Sequence, residues 1–600
     1  MGLDQLINID SRNMNINNQS QIIIGIDFGT SGLCYAYGAL NNDRRKEIAL
    51  GHFEGQGRNN KISNEIILDD ELETVLAFGN LCDSFLSSTH DFNFHHFKNV
   101  KMNLYKRIYK VKATNSDKEA DIEYIIYLIL AEAKIKAEEQ IKLSEPNINV
   151  ENIHYVITVP AIWDNKSKQI MIQASKKAGL IREDDDLSNF FALEPECASI
   201  YFGHENIGKQ AYEMIIKDFR EQSFILCDYG SGTVDIVTQK KKFENNQIKF
   251  EELYPPVGGN YGSNNINQFF IDRIIKSLFG EENVHRTKTE LYKSGEYYYW
   301  VNFENSIERF KLNFISLEQL NKSYEIDCEL FSDLKLDIIE KIKTFNNNHE
   351  WKLSSSRRNA YKIQFPFKII YDFMVELVTK VIDLIIPITE KIKDINSIIF
   401  SGGASVSPIL LKIFDDSYLN SLMNFSRSQN PEVAISLGSI LFAMSHNIIT
   451  PRKAKYTFGI EVSENWDDSK HQIGGKKIYN KLDEVYHCEN LFSKFITKGQ
   501  NLRPDEVIEH SYLMCGSKAN IELYRTEKNN VVFCDEKNEN GELIVWKFGN
   551  FMIDVGKDFD SSSKNMRKVI VKMKMGGTFI SAEAIYCKTG KKADMICLFE

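Results

Sequence analysis

The chain has 600 residues, 43% of them hydrophobic and 12% aromatic, enough for a sizeable core spread over about two to four domains of ordinary size. A formal net charge of -10 provides no overall basic field for phosphate backbones, which argues against nucleic acid as the main partner. Ten cysteines are scattered without Cys-x-x-Cys or paired His/Cys spacing, so no zinc framework is expected and a reduced, cytoplasmic compartment fits best.

Residues 1–20 are polar and rich in Asn, without the apolar core of a signal peptide, and are expected to form a disordered tail. The first element follows in "IIIGIDFGTSGLCYAYG", residues 22–38, an apolar strand that stops at Asp27 and breaks into Gly29-Thr30-Ser31-Gly32. "HYVITVPAIWDNKSKQIMIQASKKAGL" (154–180) reads as a strand, a Pro160 turn and an amphipathic helix. In "FFALEPECASIYFG" (190–203), Glu194 and Pro195 close a strand before a small-residue helix. A carboxylate at such a strand end can orient or deprotonate water; it can equally be a solvated acid at a helix N-terminus.

The opening pattern returns in "FILCDYGSGTVDIVTQ", residues 224–239, where Asp228-Tyr229-Gly230-Ser231-Gly232-Thr233 matches Asp27 to Gly32. One such hairpin is an ordinary tight turn; two copies point to duplicated lobes that grip one polyphosphate. Glycines remove the Cβ atoms that would block an anion, successive N–H groups form a nest, and Thr30, Ser31 and Thr233 add hydroxyl donors. Asp27, Asp228 and Asp235 beside that anion call for a cation, and magnesium meets the need. Further along, Gly258 and Gly259 are expected in a loop before a helix, where free N–H groups favour anions.

The segment from 281 to 370 is less informative; the aromatics of "YKSGEYYYW" (292–300) read as core, "HEWKLSSSRRNAYK" (349–362) as an exposed loop, and His95 and His96 as structural. Asp372 to Lys393 reads as a buried or amphipathic helix, since Glu376, Lys380 and Asp383 lie within it. "SIIFSGGASVSP" (397–408) repeats the strand-to-glycine plan, with Gly402 and Gly403 placed to let a base or sugar lie against the backbone.

Taken in order, these motifs resemble the phosphate-1, connect-1, phosphate-2 and adenosine succession of the actin-like ATPase superfamily. "VITVPAIW", "LEPECASIYFG" and "NPEVAISLGSILFA" resemble DnaK-type 70-kDa heat-shock chaperones, and "FKNVKMNLY", "PPVGGNYGS" and "FSKFITKGQ" resemble their divergent twelve-A/twelve-B branch, over roughly residues 21–600. The resemblance implies ATP or ADP with magnesium as ligands. Asp27, Asp228 and Asp235 would hold the ion and its waters, Lys101 would be the catalytic lysine, and Glu194 the water-positioning glutamate, with Asp228 part of the catalytic set. Gly29, Thr30, Ser31, Gly230, Ser231, Gly232, Thr233, Gly258 and Gly259 would contact phosphates, and Glu308, Lys311, Gly402, Gly403 and Glu432 the nucleoside. Ser231 stands where the family has a glycine, Glu432 where it has Asp, and Leu312 and Val406 where arginines flank adenine. Loss of those planar cations weakens stacking, so hydrolysis is expected to be slow or absent.

After Ile449 the texture changes to short alternating segments split by Gly, Asn and Lys turns, among them "TEKNNVVFCD", "GELIVWKFG" and "RKVIVKMKM", the signature of an antiparallel β-domain. One face of "KVIVKMKM" carries Val569, Val571, Met573 and Met575. The closing strands resemble a chaperone's substrate-binding sandwich, but a basic junction, Pro451 to Lys455, replaces the acidic linker, and the chain ends without room for a helical lid. The expected architecture is therefore α/β: a tail over 1–20, a two-lobed actin-like (duplicated ribonuclease H-like) domain over 21–449 and a lidless β-domain over 450–600. Within the second part, lobe I covers about 21–205, lobe II about 222–430, and a closing helix runs to about 447. The expected function is ATP binding with slow hydrolysis and engagement of polypeptide clients or signalling proteins, with nucleotide-exchange or J-domain co-chaperones implied by the resemblance and no membrane span. A nucleotide-binding scaffold without turnover is the alternative; a sugar kinase or a filament former of the same superfamily is a weaker one.

Overall fold

The computed structural model describes residues 22–596 other than 40–47, 54–59, 90–92, 145, 147, 183–184, 186, 206–220, 245–246, 445–447, 473, 504–505 and 576–579. The predicted tail over 1–20 and the final residues 597–600 lie outside the described residues. Two compact units emerge: one is built from the chain up to Trp163, Ile170–Val237 and Val257 to residue 446, the other from Asp164–Gln169, Thr238–Pro256 and the chain from residue 447 onward.

Two sheets of one plan organise the first unit, the second of them including strand residues of Thr238–Pro256, which fall in the other unit. Strands β1 (Ile22–Phe28), β2 (Gly32–Ala39), β3 (Ile48–Leu50) and β4 (Ile62–Ser63) are followed by β5 (Ile153–Val159) and β6 (Phe191–Leu193). They lie in the order β6-β5-β1-β2-β3, with β4 on β2. The second sheet takes β7 (Gln222–Tyr229), β8 (Val234–Glu244), β9 (Gln247–Gly259), β10 (Ile395–Ser401) and β11 (Asn424–Arg427) in the order β9-β8-β7-β10-β11. In each, a strand ending in Asp-aromatic turns back antiparallel on one side and receives two parallel strands on the other. β1 runs antiparallel to β2 and parallel to β5, and β7 runs parallel to β10.

A strand flanked on both edges and covered on both faces needs an unbroken apolar run, and all seven residues of β1 are buried. Each fully buried Ile stabilises by roughly 1.5–3 kcal/mol, which fixes the strand end from which the first turn springs. Helix α1 (Val100–Tyr105) follows Asn99, a left-handed residue with φ 57°, and α2 (Glu194–Glu205) begins directly after β6. α3 (Tyr297–Leu312) buries Tyr297 and Trp300 while Tyr299 stays exposed, so the aromatic run is divided between core and surface. α4 (Lys368–Lys391) buries one apolar face, α5 (Pro408–Asp415) is capped by Ser407, and α6 (Ala434–Met444) is buried nearly all round. A Cβ on Gly438 would meet the Cys197 carbonyl oxygen at 1.9 Å, so α6 rests directly on the α2 backbone and anchors the helix that begins with Glu194. Among the described residues, no helix is long and apolar enough to cross a membrane.

The second unit is dominated by antiparallel strands. β12 (Thr457–Asn465), β13 (Lys476–Asn480), β14 (Val485–Ile496), β15 (Val507–Leu513), β16 (Lys518–Thr526), β17 (Val545–Asp554), β18 (Lys568–Lys574), β19 (Ser581–Tyr586) and β20 (Lys592–Ile596) form two larger sheets, β13-β14-β12-β16-β17 and β15-β18-β19-β20. Val569, Val571, Met573 and Met575 point into one core shared with Phe458, Ile460, Leu523 and Ile553, as the alternation in "KVIVKMKM" predicts.

Two predicted elements differ. "NNVVFCD" (529–535) forms only an isolated antiparallel bridge, Phe533 opposite Leu491, with the Phe492 N–H donating to Val532 O at 2.8 Å and the Cys534 N–H to Asn490 O at 2.9 Å. The Val532 and Phe533 N–H groups donate instead to the Glu536 carboxylate, at 2.5 and 3.0 Å, so the pairing does not extend into a strand. Gly258 and Gly259 are not in a loop but end β9, and the turn begins after them.

Candidate functional site

The turns that leave β1 and β7 are tied back through their carbonyls. Asn64, itself buried, donates from Nδ2 to Gly29 O at 2.6 Å and from its backbone N–H to Ser31 O at 3.1 Å. In the second turn, the N–H groups of Gly262, Ser263 and Asn264 donate to the carbonyls of Gly232, Gly230 and Ser231 at 3.1, 3.2 and 2.8 Å. Two unrelated segments thus do the same work: they engage the carbonyl side of each turn from behind.

The turns also meet each other. Ser231 Oγ accepts from Ser31 Oγ at 2.7 Å and from the Ser31 N–H at 3.2 Å, and a Cβ on Gly232 would lie 2.3 Å from Thr30 Oγ1. The serine that departs from the glycine pattern is therefore the residue that joins the two turns. Both turns line one cavity of about 420 Å³, which they share with Lys101, Glu194, Glu308, Lys311, Gly402 and Gly403. Gly402 adopts φ +82°, and a Cβ there would sit 2.4 Å from the Tyr229 carbonyl oxygen, so the chain can pass the end of β7 only as glycine.

Asp27 and Asp228 reach this cavity from the ends of β1 and β7, 1% and 4% exposed. Their surroundings differ. Asp27 Oδ2 accepts from Lys61 Nζ at 2.6 Å, whereas Asp228 Oδ1 and Asp235 Oδ2 are buried with no hydrogen-bond partner. Burial pushes the Asp228 carboxyl up to about 7, reinforced by Asp235 and Asp27 and opposed by Lys61 and Lys101. Asp235 is raised by burial too, against Lys101 and the Ile162 N–H that donates to it at 3.2 Å. Burial works to lower Lys61, but Asp27 beside it holds the ammonium above its ordinary range.

Lys101 on α1 and Glu194 at the start of α2 form a buried ion pair, Nζ to Oε1 at 2.5 Å, with the Trp163 ring 5.8 Å from the ammonium. Burial pushes the Glu194 carboxyl up, Lys101 opposes this, and the Asp27, Asp235 and Asp228 charges add to the rise. At the other end, Glu308 pairs with Lys311 at 2.7 Å and accepts from Asn267 at 2.5 Å.

Four of the predicted residues are off the cavity wall. Asp235 stands behind it, Gly258 and Gly259 end β9, and Glu432 accepts from Asn60 at 3.2 Å. Lys61 and Asn64 were not anticipated; a single lysine and asparagine in "NNKISN" carry no periodic or spacing signal. Among the described residues, no three His, Cys, Asp or Glu side chains converge at metal-ligand spacing. The orphaned oxygens of Asp228 and Asp235 nevertheless fit a hydrated divalent cation, which is held largely through its own waters. His95 and His96 serve structure: His96 Nε2 lies 2.7 Å from Glu65 Oε2, and His95 lies between Ser116 and Asp70 at 2.7 and 3.1 Å.

Human heat shock 70 kDa protein 12A is 23% identical over 98% of this chain and 92% of its own length. The chain is thus similar, over nearly its whole length, to a protein named for the 70-kDa heat-shock group. Human heat shock 70 kDa protein 12B is 21% identical over 76% of the chain and 72% of its own length. The mitochondrial iron-sulfur cluster biogenesis chaperone of Saccharomyces cerevisiae is 22% identical over 76% and 65%. No family model matches the chain. The resemblance to the twelve-A/twelve-B branch, read from short motifs, thus extends over nearly the whole chain.

Proposed function

We propose that the first unit is a two-lobed, actin-like nucleotide-binding domain that takes ATP or ADP with magnesium in the cavity between its two hairpin turns and hydrolyses ATP slowly. The observation that carries the reading is the meeting of the two turns through Ser31 and Ser231, with their carbonyls tied back by Asn64 and by the 262–264 segment. Such turns offer N–H groups and hydroxyls to a polyphosphate from two sides. Asp228 and Asp235, with Asp27 beyond Lys61, would hold the magnesium ion, whose chemistry is to neutralise phosphate charge. Lys101 supplies a second cation, and Glu194 orients or accepts a proton from the attacking water once its carboxylate is turned toward it.

The second unit, by this reading, engages polypeptide partners. Support comes from its two antiparallel sheets, a form that holds extended peptides through backbone bonds, and from the relationship to heat-shock-70 proteins.

Single-turnover hydrolysis of labelled ATP with magnesium tests the catalytic assignment. Lys101→Ala is expected to slow the wild-type rate by about 10²-fold, the scale of losing one charge-stabilising group. Equal rates in the two proteins would remove Lys101 from the reaction. One observation favours a scaffold without turnover: Lys101 and Glu194 are spent on each other at 2.5 Å, and both must be released before either can act. ATP bound but not hydrolysed by the wild type would select that reading.

A further inference from the structure

Beyond the two turns, the cavity wall changes character. It is made by the end of α3 and the residues after it, by α4, and by the segment that follows β10. Three large apolar side chains on this wall, Leu312, Ile315 and Val406, are 64%, 62% and 48% exposed. Directly beneath the same wall, Phe314, Leu377 and Leu410 are almost fully buried. Aliphatic surface held open inside a cavity, on a packed apolar floor, is stabilised when something flat and weakly solvated covers it.

Much of the polar surface of this part of the wall is engaged within the protein. Glu308 and Lys311 form their 2.7 Å ion pair, Lys311 also reaches the Ser263 carbonyl at 3.4 Å, and Ser407 Oγ accepts from the Leu410 N–H at 3.4 Å as the cap of α5. A site that reads a base through hydrogen bonds rejects the wrong one by about 10⁴-fold or more, because its polar groups are left unpaired. A site that offers only contact cannot discriminate in that way; isosteres differ in it by small factors.

We infer that Leu312, Ile315 and Val406 form an aliphatic clamp that holds a purine ring by contact alone, so that the protein binds purine nucleotides without selecting adenine over guanine or hypoxanthine. The inference rests on the nucleotide reading above and adds the class of base. Phosphates supply anchoring at the turns, and the base supplies area.

The test is calorimetric titration of the full chain with ATP, GTP, ITP and inorganic tripolyphosphate, each with magnesium, repeated on Leu312→Ala/Val406→Ala. The clamp predicts dissociation constants for the three nucleotides within about tenfold of one another. It predicts that the double variant weakens all three together by about tenfold or more, with tripolyphosphate unchanged. Both side chains are exposed, so the variant keeps the core intact. A preference for ATP over GTP beyond about tenfold, with tripolyphosphate still bound, overturns the clamp and leaves the nucleotide reading standing. An unchanged double variant does the same. If neither nucleotides nor tripolyphosphate bind, both readings fall.

Discussion

The first and second hairpin turns share a backbone plan and differ in how their charge is balanced. At the first, Lys61 sits 2.6 Å from Asp27, and the carboxylate is neutralised by the chain itself. At the second, Asp228 and Asp235 each keep a buried oxygen without a partner, and burial raises both carboxyls. One copy of the duplicated motif therefore has its carboxylate paired within the chain, and the other, by the proposed reading, is completed by the cation that accompanies a nucleotide. A repeated sequence pattern specifies the shape of a site, while residues distant in sequence decide where its ligand's charge must go.

The comparison breaks most visibly at Lys61. Lys61→Met leaves Asp27 buried and unpaired, which is expected to cost about 3 kcal/mol in chemical denaturation, the lower end for breaking a buried pair because the lysine is partly exposed. Restoring neutrality with Asp27→Asn in the same chain should recover most of the loss. No loss in the single variant would mean that Asp27 does not depend on Lys61.

The second turn should respond to pH in the opposite sense. The Asp228 carboxyl lies near 7 when folded, above an unfolded value of about 3.9. Its stabilising contribution is therefore full below about pH 4 and is lost as pH rises to about 7. For ligand-free protein, the thermal midpoint of the wild type should fall relative to Asp228→Asn between about pH 5 and about pH 8, and magnesium with nucleotide should restore it at the alkaline end. A constant gap between the two proteins across that range would place Asp228 outside this account.

The bond that joins the turns is the smallest effect. Ser31→Ala removes an exposed hydroxyl donor to Ser231 and should change stability by about 1 kcal/mol or less. Ser231→Ala removes the acceptor for both the Ser31 hydroxyl and the Ser31 N–H, so its loss should equal or modestly exceed that of Ser31→Ala; no loss in either variant would mean that the contact adds nothing to stability.

Much of this arrangement is legible in the sequence because it depends on local pattern. Apolar runs that stop at Asp-aromatic-Gly give both hairpins, and the alternation of Val569, Val571 and Met573 gives the inward face of β18. What escapes are partners brought together by the fold. Lys61 lies 34 residues from Asp27, and Asn64 lies 35 from Gly29, with no spacing rule to connect them. Ser231 reads as a flaw in a glycine turn until Ser31, 200 residues away, supplies its partner. The "NNVVFCD" segment has strand composition, but the Glu536 carboxylate takes the Val532 and Phe533 N–H groups and leaves only the isolated bridge to Leu491. Leu312 and Val406 are readable as lost cations, whereas the exposed apolar wall they make with Ile315 is a property of the cavity.

The central claim is that one polyphosphate lies between the two turns. Equilibrium titration of ATP into the wild type and Gly232→Val, with and without magnesium, tests it most directly, because a side chain at residue 232 would meet Thr30 Oγ1 and Met102 Sδ within 2.4 Å and push the turns apart. The account predicts saturable one-site binding that magnesium strengthens and that Gly232→Val weakens by at least about tenfold, the loss of a few phosphate hydrogen bonds. Binding of equal strength in both proteins would contradict it.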